Sequence, residues 1–422
     1  MTGKTVIEKI FSAHSDEDAV AGGIVWVNMD IRSARDFGGA NVVQNFKKFY
    51  QNDKVHDASK TFFTFDCNVP ANNIPYANNQ QVCRVFAKEQ GIKVFDVNAG
   101  IGSHVMIEEG LALPGSTVVG TDSHLNIMGA VGAFGQGMGD QDIAFVFRAG
   151  KTWFEVPETI KIVIKGELPK GCSAKDLTLF LTGKLGASGA LGKAVEYYGP
   201  AIEKLSLAGR ITLASMATEM GAIISFIRPD KGVIDHFKAV NPSAKIAPVY
   251  ADEDAVYCKV MEFDISNLVP QIAKPPKPDN VVPVREVKNV RVDSVFIGSC
   301  TNGTYEDIKA VAELVKGRKV KEHVMAKIVP ATRKTYSRLL EEGILRQLFE
   351  AGFIISHPGC GGCASGQLGM TGKGEIQVST SNRNFAGKQG DGDTYLASPE
   401  TAAASAILGR IATADEMLKE VF

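Results

Sequence analysis

SVFIGSCTN, residues 294–302, is an apolar, β-prone run that stops at a glycine and delivers a cysteine. Its counterpart is FIISHPGCGGC, residues 353–363, a second apolar run ending in two cysteines flanked by glycines. Between them lie a helix-like stretch over 305–317 and a further strand-like run, AKIVPAT (326–332). After them come EIQVST (375–380) and TYLASP (394–399). Short apolar strands alternating with helical patterns read as βαβ units, hence a mainly parallel sheet covered by helices. In such sheets the binding crevice lies outside the carboxyl ends of the strands. Cys300 and Cys360 both fall at such ends, so the topology can bring them together.

The same rhythm fills the first third of the chain. TFFTFDC (61–67), KVFDV (93–97) and STVVGTDSH (116–124) read as strands ending in polar loops, and QQVCRVFAKEQG (80–91) as a helix closed by Gly91. Val6, Ile7, Ile10 and Phe11 fall on one face of a short amphipathic helix. Near residue 157 the texture changes. TIKIVIKGELPKG (159–171) alternates like an exposed strand, and SAKDLTLFLTGKLG (173–186) reads as a helix with Ser173 as its N-cap. VPQIAKPPKPDNVVPV (269–284) carries five prolines, too many for a helix or central strand, and reads as a linker. These marks divide the chain into expected α/β domains over 1–157, 158–284 and 285–422.

The chain has 422 residues, with 46 basic and 47 acidic ones. This balance offers no electrostatic field for nucleic acid or an anionic membrane. An acidic small substrate has to be met by a few placed cations. No apolar run reaches the roughly 20 residues of a membrane span, and the N-terminus has no signal-peptide core. The expected location is cytoplasmic. In that reducing setting seven cysteines point to metal or catalysis rather than to disulfides.

Cys360 and Cys363, two residues apart, can aim both sulfurs at one centre, with Cys300 as a third thiolate. Three thiolates are one short of the four that close an electron-transfer cluster. A four-iron cluster so held leaves one iron open as a Lewis acid. The Cys-x-x-Cys pair also fits a thiol-redox motif or half of a zinc site, although no second pair completes a zinc. Gly120-Thr121-Asp122-Ser123-His124 follows a strand and reads either as site residues or as a helix N-cap. SNRNFAGK (381–388) offers Arg383 for a carboxylate and Lys388 as a point charge, or else is a solvated loop. Glu219, in an apolar helix-like stretch, needs a partner or faces water.

GTDSH, GSCTN, PGCGGC and SNRNF, in this order, resemble the aconitase superfamily; KAVEYYGP (193–200) and FDVNAGIGSH (95–104) extend the similarity along nearly the whole chain. The length resembles that of the large subunit of two-chain isopropylmalate isomerases and homoaconitases. The resemblance implies a three-layer α/β/α architecture, three domains around a [4Fe-4S] cluster, without the swivel domain. That domain is then a separate small subunit supplying a serine base. It implies cluster ligation by Cys300, Cys360 and Cys363. Asp122, Ser123 and His124 then line the site, with His124 paired to Glu219. Arg383 binds a substrate carboxylate, and Asp36 and Asp66, which match two further acids of the family, are expected to bind substrate and to take part in catalysis, respectively.

The departures cluster around the substrate. Cys67 follows Asp66 where the family has the His that protonates the leaving hydroxyl, and its thiol is the candidate catalytic donor in that place. Ser103 stands in place of another His, with His104 next door. Arg35 replaces Gln or His and can newly grip a carboxylate. Ser215 replaces Asn, and Lys388 replaces Arg. Leu125-Asn126-Ile127-Met128 is more apolar than the usual loop and suggests an alkyl-bearing substrate. The expectation is a hydro-lyase large subunit acting on a 2-hydroxy di- or tricarboxylate, isopropylmalate or a related alkylmalate first. The alternative within this chemistry is a hydro-lyase of altered substrate, such as dimethylmalate, homocitrate or another hydroxy acid. A non-catalytic cluster-binding iron sensor is the competing class, against which the lack of a basic patch counts in its RNA-binding form.

Overall fold

In the computed structural model, which describes residues 3–287, 289–363 and 368–420, the strands form four sheets, three of them largely or wholly parallel. The first of these runs, edge to edge, Lys93–Phe95, Thr61–Thr64, Ile31–Arg35, Thr117–Gly120 and Phe134–Gly137, all parallel. The second orders Ile224–Ile227, Ala194–Tyr198, Thr159–Lys165 and Lys259–Asp264. The third has seven strands, with Asp393–Ala397, Ile376–Ser379, Ser294–Ile297, Met325–Ile328 and Ile354–Ile355 as its parallel block. A two-stranded antiparallel ribbon, Ile24–Asn28 with Lys151–Glu155, makes the fourth. Strands such as Thr61–Thr64, Thr117–Gly120 and Ser294–Ile297 are buried at every residue. Both faces of those sheets are therefore covered, as the continuous apolar runs required.

Local chemistry sets the element ends. Thr5 and Glu8 form a capping box on the helix Val6–Ala13, which buries Val6, Ile7, Ile10 and Phe11 as their spacing predicts. Ser173 and Asp176 do the same for Ala174–Leu185. Asn73 caps Ile74–Gln90, which ends at Gly91 in the left-handed region (φ 72°).

Two expectations are corrected. Thr159–Lys165 is an inner strand, paired on both sides, with Ile160, Ile162 and Ile164 in a core. Its alternation records one apolar face, not an exposed position. The proline-rich stretch 269–284 is no free linker. Gln271–Ala273 and Val281–Pro283 form a hairpin that joins the seven-stranded sheet through Asp393–Ala397. Pro275, Pro276 and Pro278 fall in its turn and Pro283 on the outermost strand, where a missing N–H costs nothing.

Candidate active site

Three neighbouring strands of the first sheet end side by side. Ile31–Arg35 delivers Arg35, Thr61–Thr64 leads to Asp66 and Cys67, and Thr117–Gly120 to the segment Thr121–His124. From the seven-stranded sheet, Ser294–Ile297 leads to Cys300, Ile354–Ile355 to Cys360 and Cys363, and Ile376–Ser379 to Arg383. The two sets of loops meet: the Cys360 amide donates to the Asp66 carbonyl at 2.8 Å. Between them lies a cavity of about 340 Å³ whose walls include Arg35, Cys67, Asp122, Ser123, His124, Cys300, Cys360, Cys363, Arg383 and Lys388.

Two backbone features hold the cysteines. Ser299 has φ 74°, a strained value for a residue with a side chain, directly before Cys300. Gly361 has φ 56°, and a Cβ there would lie 2.7 Å from Val329 Cγ2 and 2.9 Å from Phe296 Cε2. Only glycine turns the chain between Cys360 and Cys363 at that packing.

His124 and Glu219 do pair, Nε2 to Oε1 at 2.9 Å, and Arg383 Nε donates to the same oxygen at 2.8 Å. Burial alone would raise the Glu219 carboxyl. The His124 hydrogen bond and the charges of His124 and Arg383 outweigh it, so the group lies below its ordinary value and stays ionised. Arg383 Nη1 also reaches Ser123 Oγ at 3.4 Å. Asp122 Oδ1 accepts from the His124 amide at 3.0 Å and from Arg35 Nη1 at 3.0 Å. It is thus both a local cap and a cavity group. Its burial is more than offset by Arg35 and His124, which keep it below the ordinary range.

Several expected roles change. Arg35 does not stand free to grip a substrate. Its Nε donates to Asp66 Oδ1 at 2.7 Å, Nη1 to Asp122, and Nη2 to Cys360 Sγ at 2.5 Å. Asp36, expected to bind substrate, is fully buried. Its carboxylate accepts from the amides of Asp66 (3.1 Å), Cys67 (3.0 Å) and Asn68 (3.3 Å) and from Gln80 Nε2 (3.1 Å). It shapes the loop that presents Cys67. Asp66 likewise lies behind the cavity wall, accepting from Arg35 and from the Gly102 amide at 2.7 Å. Burial, with Asp36 and Asp122 nearby, pushes it up to about 6 despite Arg35.

His104 does not replace the missing histidine of position 103. Its Nε2 donates to the Cys300 carbonyl at 2.8 Å, and burial lowers its pKa, so it is neutral. Ser215 is buried outside the cavity, its carbonyl accepting from Asn382 Nδ2 at 3.3 Å. Leu125, Ile127 and Met128 are fully buried in a hydrophobic core and do not line the cavity. The apolar side chains that do are Phe37, Tyr76 and Ile101.

Sequence reading missed those three, and it missed Lys175. This fully buried lysine on Ala174–Leu185 donates to the carbonyls of Thr380 and Ser381 at 2.9 Å each, fixing the turn before Arg383. Burial brings it down to about 7. Nothing marks it in the sequence, because its partners lie some 205 residues away.

The donor set suits an iron–sulfur group. Cys300, Cys360 and Cys363 are free thiols on one cavity wall. Burial pushes Cys300 and Cys363 up, while Lys388, Arg383 and Arg35 pull Cys363 the other way. Those cations are placed to balance thiolates, which a bound metal creates outright. Cys67 Sγ shares the cavity, and its hydrogen bond to Cys360 and its burial hold the thiol well above its usual range.

Residues 8–409 match the family model described as aconitase family (aconitate hydratase). The chain is 46% identical over 412 residues to 3-isopropylmalate dehydratase large subunit 1 of Methanopyrus kandleri, covering 97% of this chain and 98% of that one. It is 45% identical over 388 residues to the probable methanogen homoaconitase large subunit of Methanosarcina mazei, covering 91% and 98%. The holo-form crystal structure of Thermococcus kodakaraensis aconitase X superposes with a TM-score of 0.50 at 13% identity, covering 90% of this chain and 89% of that one, a likeness of fold.

Proposed function

The chain belongs to the aconitase family, and on that premise we propose that it is the large subunit of a [4Fe-4S] hydro-lyase. The substrate is a 2-hydroxy dicarboxylate of the alkylmalate type, isopropylmalate first. The observation that carries this reading is the shared cavity of Cys300, Cys360 and Cys363 with His124, Arg383 and Lys388. The three thiols would hold the cluster, which when bound supplies a Lewis acid for the substrate hydroxyl and a neighbouring carboxylate.

The chain's own groups do the rest. Arg383, tied down through Nε, turns its terminal nitrogens to a carboxylate, with Lys388 as second cation. His124, oriented by ionised Glu219, hydrogen-bonds the departing hydroxyl and gives it a proton. Asp122 holds the His124 amide and Arg35 in place. Phe37, Tyr76 and Ile101 give an alkyl group an apolar wall.

Dehydration also needs a base for the C–H proton, which a small subunit supplies in this reading. Supporting that partner, Phe37 (75% exposed) stands on the cavity wall, and Ile74 and Phe385 are also exposed, close in sequence to the cavity residues Tyr76 and Arg383. Among the described residues no helix is long and apolar enough to cross a membrane.

The test is the rate of alkene formation by the reconstituted two-chain protein on isopropylmalate, other alkylmalates, homocitrate and citrate. Turnover of an alkylmalate with the highest kcat/KM supports the proposal. A preference for homocitrate moves the substrate to the tricarboxylates, and flat progress curves on all four with the cluster present sink the hydro-lyase reading.

A further inference from the structure

The chain has two tryptophans, and the fold puts both on one exposed face. Trp26 (43% exposed) and Trp153 (55%) lie directly opposite each other across the antiparallel ribbon of Ile24–Asn28 and Lys151–Glu155, with Ile24 (63%) on the same face. Tryptophan is enriched among the residues that carry binding energy at protein interfaces, because it buries a large apolar area at a small cost in side-chain freedom. None of these residues lines the cavity of the candidate active site.

The ribbon has an open edge. The Gly150 carbonyl accepts from the Met29 amide at 2.9 Å, and the Val156 amide donates to the Gly23 carbonyl at 2.8 Å. Antiparallel bonding alternates, so between these points Thr152 and Phe154 bond to Ile24–Asn28. The N–H and C=O groups of Lys151, Trp153 and Glu155 then point out of the opposite edge. Among the described residues no strand pairs with that edge. A groove of about 800 Å³ borders Thr152–Glu158 and leaves room along it. The outer edge of Ile24–Asn28 is partly closed, since the Asn28 amide donates to the His14 carbonyl at 2.8 Å.

The open edge is complementary to itself. Lys151, Trp153 and Glu155 alternate along the exposed face, with charges of opposite sign on either side of Trp153. A second copy of the strand, antiparallel and centred on Trp153, sets Lys151 opposite Glu155 at both ends and Trp153 opposite Trp153. The outward N–H and C=O groups of each pair then satisfy one another. A parallel copy sets lysine against lysine and glutamate against glutamate. We propose that this strand is a dimerisation edge, at which two copies of the chain join their ribbons across a two-fold axis at Trp153. The joined ribbons form one continuous sheet, with the tryptophans of both copies in a row across it. A two-fold contact closes on itself, so the edge is used up rather than propagated.

The experiment is sedimentation of the full chain over a dilution series, read together with tryptophan emission, which reports on this face alone. The wild type is expected to sediment at twice the mass of one chain, with emission moving to longer wavelength as dilution separates the copies. Lys151→Glu and Glu155→Lys, both at exposed positions, are each expected to raise the dissociation constant about 10-fold or more, because both cross-strand pairs turn from attraction to repulsion. Mixed in equal amounts, the two variants are expected to form a dimer again, since each pair then joins opposite charges. A chain carrying both changes is expected to dimerise with itself. A wild type that stays a single chain at every concentration overturns the proposal. So does a dimer that neither variant weakens, or that the mixture fails to restore. Emission that moves to shorter wavelength only on adding the small subunit, or phosphatidylcholine–phosphatidylglycerol vesicles, assigns the face to that occupant and overturns it as well.

Discussion

Arg35→Met should destabilise the chain in a way that depends on pH. The guanidinium is 13% exposed and bridges Asp66 and Asp122, which are 0% and 6% exposed. Removing one partner of a buried ion pair costs about 3–5 kcal/mol, because the remaining charge is left uncompensated. With an unfolding entropy of about 2.1 cal/mol/K per residue, the 422-residue chain loses roughly 3–6 °C in Tm if it unfolds as one unit. The sign with pH follows from Asp66. Its folded pKa of about 6 exceeds that of an unfolded Asp, so ionising it works against the fold as pH rises through 6. Arg35 is what limits that penalty. The Tm gap between wild type and variant should therefore be wide at pH 8 and narrow near pH 5.5. Calorimetry across that range checks it, and adding Asp122→Asn to the variant should recover part of the loss. An Arg35→Met chain as stable as wild type at pH 8, or a gap independent of pH, would refute the view of Arg35 as an internal brace.

Glu219→Gln keeps a neutral acceptor but not the charge that orients His124, so kcat should fall on the order of 100-fold with KM less affected, measured by steady-state kinetics. Arg383→Lys loses the planar fork and the Nε bond to Glu219, and kcat/KM should drop roughly 10- to 100-fold, from a charge-assisted bond of about 1.5–3 kcal/mol. Asp36→Ala leaves three amides without their acceptor, and hydrogen exchange at residues 66–68 should accelerate well before global unfolding. Lys175→Met frees the carbonyls of Thr380 and Ser381, and should raise KM through the displaced Arg383 more than it lowers Tm.

What the sequence made legible is local or strongly typed. Ser173 and Gly91 end their helices through contacts within a few residues. Cys300, Cys360 and Cys363 stand out because glycine-flanked thiols at strand ends have few other uses. The His124–Glu219 pair came from the family resemblance, and the structure contains it. The misreadings share a cause. Arg35 and Cys360 are 325 residues apart, and no local pattern shows that one will neutralise the other's surroundings. The apolar character of Leu125–Val131 is real but satisfies the core rather than a ligand, since a run of hydrophobic residues carries no label for what it packs against. The prolines of 269–284 suggested that no inner strand could lie there, yet Gln271–Ala273, free of proline, pairs on both sides, and the hairpin carries its prolines in the turn and on the outer strand. Cys67 was visible as a departure from the family, but its nearness to Cys360 is a fact of the fold alone.

Metal and sulfide counting on the anaerobically reconstituted chain decides whether Cys300, Cys360 and Cys363 hold an iron–sulfur cluster. About four irons and four sulfides per chain are expected, lost in Cys300→Ala while the fold persists by circular dichroism. Stoichiometric zinc, or no metal and no sulfide in the wild type, would contradict it.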